Sequence, residues 1–268
     1  MGYEFGLAKR IYGVVPGVVM DNKHPEGAYR VKVKFPWIRS TEAGDDADYE
    51  SSWARVVSPM AGGGRGFYVL PEVGDEVCVS FVHGDIRYPI VLGAVWNDQD
   101  KMPVNGQAPK KSTDPLGNDL GIDVTAKDNK ALSGKNNARF FISRAGSTLL
   151  FDDTDGKEKV NLFTKKGSML TINDEKDVVA IYDHTKEVYL ALDAKNKKIT
   201  METKNGDIHF YAKNGKFYVE AKDIITKASG KQDHKADGKW KQQSGGTMDL
   251  QSGGTMTLKG GPKIELNP

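Results

Sequence analysis

Two adjacent octapeptides near the C-terminal end, Gln243–Leu250 (QSGGTMDL) and Gln251–Leu258 (QSGGTMTL), differ at a single position. The following eight residues, Lys259–Leu266 (KGGPKIEL), keep the pattern loosely. Self-similarity at a short fixed period marks a repeat architecture. Because eight is even, the side-chain alternation of a strand returns to the same face in every unit. Met248 and Leu250 therefore share a face, as do Met256 and Leu258, then Ile264 and Leu266. Paired glycines (Gly245–Gly246, Gly253–Gly254, Gly260–Gly261) recur where such a ribbon must turn a corner.

A ribbon of this kind cannot stand alone. One apolar pair per unit is too little area to offset backbone ordering at roughly 1–2 kcal/mol per residue. The economical solution is three identical chains wound about one axis, each forming one wall of a triangular prism. Met248, Leu250, Met256, Leu258, Ile264 and Leu266 are then expected to meet at the axis as the core of an obligate trimer.

Composition removes several alternatives. The chain has 268 residues, long enough for two domains or for one domain and a rod. A formal net charge of +2 gives no electrostatic argument for nucleic acid or membrane as the main partner. A single cysteine, Cys78, excludes an internal disulfide framework and a multi-cysteine zinc site, and it lies in the apolar run Val77–Val82. The N-terminal MGYEFGLAKR lacks an apolar signal core, and no stretch approaches 18 apolar residues. The expectation is a protein made and kept in the cytoplasm unless a machine exports it.

The sequence divides by composition into a short tail (residues 1–8), a β domain (9–97), a polar linker (98–139) and a repetitive region (140–268), with the strict octapeptides at 243–266. In the β domain, Tyr12–Met20, Tyr29–Phe35, Trp53–Val57, Phe67–Leu70, Glu76–His83 and Ile90–Val95 are strand-like runs separated by turn formers. Several short strands in under a hundred residues fit a small barrel such as the OB-fold. From Phe140 onward, apolar runs recur about every nine or ten residues. They begin with Thr148–Phe151 and Val160–Phe163 and continue to Ile208–Tyr211 and Phe217–Val219, with Asp155-Gly156, Asn205-Gly206 and Asn214-Gly215 as turns. If each octapeptide advances the prism by one strand spacing of ~4.8 Å, this half forms a needle on the order of 60–70 Å long.

A barrel followed by a tapering rod resembles the spike proteins of contractile injection machines: phage baseplate assembly protein V and the matching part of the VgrG proteins of type VI secretion. In the barrel the resemblance rests on Trp53-Ala-Arg-Val-Val-Ser-Pro-Met-Ala-Gly62, Gly66-Phe67 and Leu70-Pro71-Glu72-Val73-Gly74-Asp75-Glu76-Val77. It continues through Phe81, Gly84-Asp85, Pro89-Ile90 and Gly93-Ala-Val-Trp-Asn97, and into the rod at Phe151-Asp-Asp-Thr-Asp-Gly-Lys157-Glu158. It implies an all-β protein, an OB-fold collar running into an intertwined trimeric β-helix, pushed through a target cell envelope when a sheath contracts. About ten residues precede the first strand, so the large hub domain that VgrG carries is expected on a separate baseplate hub protein. The forty-residue linker leaves no room for a lysozyme or other enzyme. Family members bind a small conical PAAR-repeat tip protein at the end of the rod, and Ile264, Leu266, Asn267 and Pro268 are the matching positions here.

Other motifs have simpler readings. Ala61-Gly-Gly-Gly-Arg-Gly66 lacks the Gly-Lys-Ser/Thr ending of a phosphate loop and precedes a strand-like run. Asp152-Asp153-Thr154-Asp155-Gly156 misplaces Gly and Glu for an EF-hand and reads as a turn. Some phage spikes hold iron near the tip with closely spaced histidines, whereas none follows His234 here. Asp45-Asp46 lies in a polar loop without aromatic sugar-binding neighbours, and Lys213–Lys241 reads as an outer rod face instead of a nucleic-acid track. The expectation is a non-enzymatic spike with no catalytic residue, cofactor or metal, assembled in the cytoplasm and then built into a tail-like particle. The rival readings are a trimeric receptor-binding fibre and a cell-wall hydrolase.

Overall fold

The computed structural model describes residues 10–39, 48–102, 113–118, 129–130 and 135–261. It forms two units, Met1–His209 and Phe210–Pro268. The loop containing Asp45-Asp46 and the positions Ile264, Leu266, Asn267 and Pro268 lie outside the described residues.

The first part of the larger unit contains β1 (Val15–Asp21), β2 (Arg30–Arg39), β3 (Asp48–Glu50), β4 (Ala54–Val56), β5 (Ala61–Gly62), β6 (Arg65–Gly66), β7 (Glu76–Phe81) and β8 (Pro89–Ala94), with one 3-10 turn at Val82–Gly84. Five strands close into a ring in the order β1-β7-β8-β4-β2 and back to β1. All its neighbours are antiparallel except β4 and β8. This is the closed five-stranded barrel expected of an OB-fold. β3 pairs with the far part of β2, and β5–β6 is a small separate hairpin. The expected strand at Phe67–Leu70 is absent: that segment runs without ladder pairing and is tied down by Phe67 N–H donating to Met60 O at 2.9 Å.

Strand alternation builds the barrel core. In Glu76–Phe81, Val77, Val79 and Phe81 point inward while Cys78 and Ser80 are half-buried. They meet Val19, Val31, Val33, Phe35 and Val91, nearly all of them with no exposed surface. Burial of each such side chain is worth about 1.5–3 kcal/mol. Polar groups at the rim are satisfied: Ser51 Oγ accepts from Val33 N–H at 3.0 Å and donates to Ser52 O at 2.7 Å, and Trp37 Nε1 donates to Pro16 O at 2.9 Å. Gly17 of β1 leaves the space that Val33 and Phe35 fill. A Cβ there would overlap Val33 Cγ1 and lie 3.1 Å from Phe35 Cε1.

The second part carries a two-stranded pair, β9 (Asn129–Lys130) with β10 (Lys135–Asn136), and then a seven-stranded antiparallel meander. Its strands are β11 (Ala138–Ile142), β12 (Thr148–Asp152), β13 (Lys159–Phe163), β14 (Met169–Asn173), β15 (Val178–Tyr182), β16 (Val188–Asp193) and β17 (Lys198–Thr203), each paired with its sequence neighbours. In the smaller unit the described residues, Phe210 to Gly261, contain no strand and are exposed throughout.

Gly17→Ala should destabilise the barrel by about 1–3 kcal/mol, the usual cost of overpacking a filled core. Urea denaturation followed by Trp fluorescence measures this, and unchanged stability would show that β1 shifts to accept the methyl group.

Candidate assembly surface

The functional surface of the second sheet follows from its turns. Each link between consecutive strands contains a four-residue turn in which the last N–H donates to the first C=O: Gly146 to Ser143, Lys157 to Thr154, Gly167 to Thr164, Asp177 to Asp174, Lys186 to Asp183 and Lys197 to Ala194, at 2.7–3.4 Å. Left-handed backbone closes five of them, at Gly146 and Gly167 and, without glycine, at Asp177, Lys186 and Lys197 (φ 52–60°), and in the sixth it falls at Gly156, one residue before Lys157. Carboxylate and amide oxygens hold the turns from inside. Asp183 accepts from Thr185 N–H and Oγ1, and from the N–H groups of Glu187 and Val188. These donors depress its pKa to about 2, the Thr185 hydroxyl most of all. Asp193 is lowered in the same way, chiefly by Asn196.

With the turns fixed, cross-strand register places like residues opposite one another. One row on the open face runs Leu149, Leu162, Leu170, Ile181, Leu190, Met201 from β12 to β17. The next runs Phe151, Val160, Ile172, Val179, Leu192, Ile199. Every member is a large apolar residue, and exposure ranges up to 71% at Ile199. The two ladders extend across the strands for roughly 24 Å at the usual strand spacing. A continuous apolar patch of this extent marks an interaction surface.

The other face is covered, and it carries the more polar side chains. Phe163, Met169, Tyr182 and Tyr189 are buried there with Leu116 and Phe140 packed against their cluster. Tyr189 OH donates to Glu202 Oε2 at 2.6 Å, a bond that raises the Tyr189 pKa. Asn161, Thr171 and Asn173 share this face, fully buried, with unpaired side-chain atoms on each. The sheet thus hides amides and opens aliphatics, the reverse of what water favours for an isolated wall.

The trimer-core positions read from the octapeptides fall in the smaller unit. Met248, Leu250, Met256 and Leu258 are 43–67% exposed on unpaired backbone, and the structure does not bring them together. The twelve-residue double ladder was not singled out from sequence, although its signal, apolar residues two apart in each run, was present. Ala61–Gly66 is the β5–β6 hairpin, and Asp152 Oδ1 accepts from Thr154 N–H and Oγ1 in a turn. Among the described residues no group of three His, Cys, Asp or Glu side chains is placed to hold a metal ion, and no helix is long and apolar enough to cross a membrane.

Comparison with known proteins agrees with the barrel. Residues 15–96, from the first residue of β1 to just past β8, match the family described as the type VI secretion system/phage-baseplate injector OB domain. The chain is 40% identical over 90 residues to the type VI secretion system spike protein VgrG4b of Pseudomonas aeruginosa, covering 34% of this chain and 11% of that protein. It is 26% identical over 161 residues to VgrG1c of the same organism, covering 59% of this chain and 19% of the relative. With VgrG3 of Vibrio cholerae it shares 39% over 74 residues, 28% of this chain and 7% of the other. The matched stretches are thus a minor part of these relatives' lengths.

Asp183→Ala should lower the apparent Tm at pH 7. A depressed carboxylate contributes its full stability above its ordinary pKa and loses it as pH falls through the folded value. The gap to the parent protein should therefore close as pH drops from about 4 toward about 2, and a gap constant over that range would show that Asp183 acts through packing alone. Barrel topology, family match and alignments converge: residues 15–96 match the injector OB domain, and over part of its length the chain is similar to the VgrG-type spike proteins of type VI secretion systems.

Proposed function

We propose that this chain is the central spike of a contractile injection machine, a homotrimer without enzymatic activity whose task is mechanical. The observation that carries the reading is the pair of open apolar ladders from β12 to β17. Three such walls set about one axis turn every ladder inward and leave no apolar face to water. The octapeptides continue the same two-residue apolar alternation past Thr203, so Met248, Leu250, Met256 and Leu258 extend the axis toward the tip. Interchain strand pairing then supplies ladder bonds to the described residues of the smaller unit, which form none in the single chain.

In this reading the barrel end rests on a baseplate hub protein, and the far end carries a PAAR-type tip protein on Ile264, Leu266, Asn267 and Pro268. The trimer assembles in the cytoplasm, joins a tail-like particle and is driven across a target envelope. Its chemistry is resistance to unfolding under load. Buried layers and mutual winding make unwinding slow, so stability is kinetic.

Analytical ultracentrifugation of the purified chain should give a mass near three times 29.4 kDa with an elongated frictional ratio. Ile181→Asp/Leu192→Asp would bury carboxylates at the axis and should reduce the mass to 29.4 kDa. Leu250→Asp/Leu258→Asp should abolish heat resistance of the trimer. A compact monomer for the parent chain overturns the spike, and a heat-resistant trimer of the first variant overturns the inward placement of the ladders.

A further inference from the structure

The covered face of the second sheet holds a polar island among its aromatic and aliphatic side chains. On β13 the residues turned to that face are Lys159, Asn161 and Phe163, and on β14 Met169, Thr171 and Asn173. Register sets Asn161 directly opposite Thr171 and Lys159 directly opposite Asn173, with Cβ atoms about 4.5–5.5 Å apart in each pair. Asn161, Thr171 and Asn173 are each no more than 1% exposed, and Lys159 is 7% exposed. Asn161 Nδ2 and Oδ1, Thr171 Oγ1 and Asn173 Nδ2 have no hydrogen-bond partner. Native interiors rarely leave such atoms unpaired, and four of them on two neighbouring strands mark a place built to hold something.

The chemistry of the set selects what it holds. Asn173 Oδ1 accepts from Lys176 N–H at 3.2 Å, which fixes the amide and leaves its NH2 group to the island. Asn161 brings a second NH2 group and Thr171 a hydroxyl, against one free carbonyl oxygen, Asn161 Oδ1. Donors therefore dominate. Charge points the same way. Lys159 Nζ lies 3.7 Å from Glu175 Oε2, beyond hydrogen-bond distance, while Glu175 Oε1 accepts from Lys176 Nζ at 2.9 Å. One carboxylate thus serves two ammonium groups, and the buried one, Lys159, has the longer contact. Asp152 stands opposite Lys159 on β12, but its Oδ1 is turned to Thr154 N–H and Oγ1. A buried charge needs compensation. A water accepts only two hydrogen bonds and brings no charge, whereas a halide accepts from several directions and supplies the negative charge.

We propose that Asn161, Thr171 and Asn173, beside Lys159, form a buried binding site for a small monovalent anion of halide size, held between β13 and β14. The site lies within one chain and on the face away from the apolar ladders, so it is independent of how many chains assemble. It also has a structural consequence. A one-residue slip of either strand would carry its polar pair to the opposite face, so the anion pins β13 and β14 in register.

The test begins with crystals of the full chain grown in sodium bromide. Anomalous scattering at the bromine edge should give a peak within hydrogen-bond distance of the Asn161, Thr171 and Asn173 side chains. In solution, apparent Tm should rise by roughly 2–4 °C as about 0.5 M bromide replaces gluconate at constant ionic strength, the linkage expected of a ligand bound by the folded chain alone. Gluconate is too large to enter a buried site. Asn161→Leu/Thr171→Val removes three of the unpaired atoms at similar volume and should abolish the bromide dependence. Asn173→Asp, which keeps the acceptor for Lys176 N–H and brings its own carboxylate, should abolish it as well and covers the case in which the double variant does not fold. A water in place of the anomalous peak would overturn the site, and so would a bromide dependence equal in the parent chain and Asn173→Asp.

Discussion

Register is the constraint on which the second half of the molecule depends. From β11 to β17 the cross-strand pairs run without a single shift. A one-residue slip would exchange the two faces of a strand completely, setting Asn161 and Thr171 among the aliphatics and Leu162 and Ile172 among the tyrosines. The six hydrogen-bonded turns prevent this, because each fixes which residue of the next strand lies opposite which. Side-chain carboxylates such as Asp183 and Asp193 reinforce the turns at the positions where the backbone must take left-handed values without glycine.

The barrel uses the opposite device. Its ladders shift between Val19 and Asp21 and between Cys78 and Val79, irregularities that bend strands so that the sheet can close on itself. Closure removes most sheet edges and gives a core complete within one chain, centred on Phe35 and Val77. One half of the larger unit is thus satisfied alone, while the other exposes the surface that an axis of three would cover.

Much of the barrel was legible because Val, Tyr and Phe alternate with polar residues between clear turn signals, as in Glu76–Phe81. Phe67–Leu70 was misread: its apolar composition suits a strand, but it has no neighbouring edge to pair with, and composition carries no information about edges. The short β3, β5 and β6 were invisible for the converse reason: Asp48-Tyr49-Glu50 and the pairs Ala61-Gly62 and Arg65-Gly66 are too short to carry a strand signature and arise from tertiary closure. The apolar runs from Thr148 to Thr203 fall on the strands β12 to β17. Their open face was not legible, because deciding which side of a sheet is covered requires knowing that Leu116 and Phe140 lie on the other side. The trimer core expected at Met248 to Leu258 has no counterpart in the single chain, where these side chains stand exposed on unpaired backbone.

The meander also sets a timetable for assembly. Each of its strands meets its partner across a short loop, Leu149 with Leu162 and Ile181 with Leu190, so loop-closure entropy is small at every step. In the barrel Val15 must wait for Val79. Low contact order favours speed, so the seven-stranded wall can zip up strand by strand as it is synthesised, independently of any partner. In the proposed trimer its apolar face is then exposed from the moment of zipping until the other chains arrive. On that proposal the interval between the two events, set by chain concentration, is when the chain is most open to aggregation, and it favours synthesis of the three chains close together on one message.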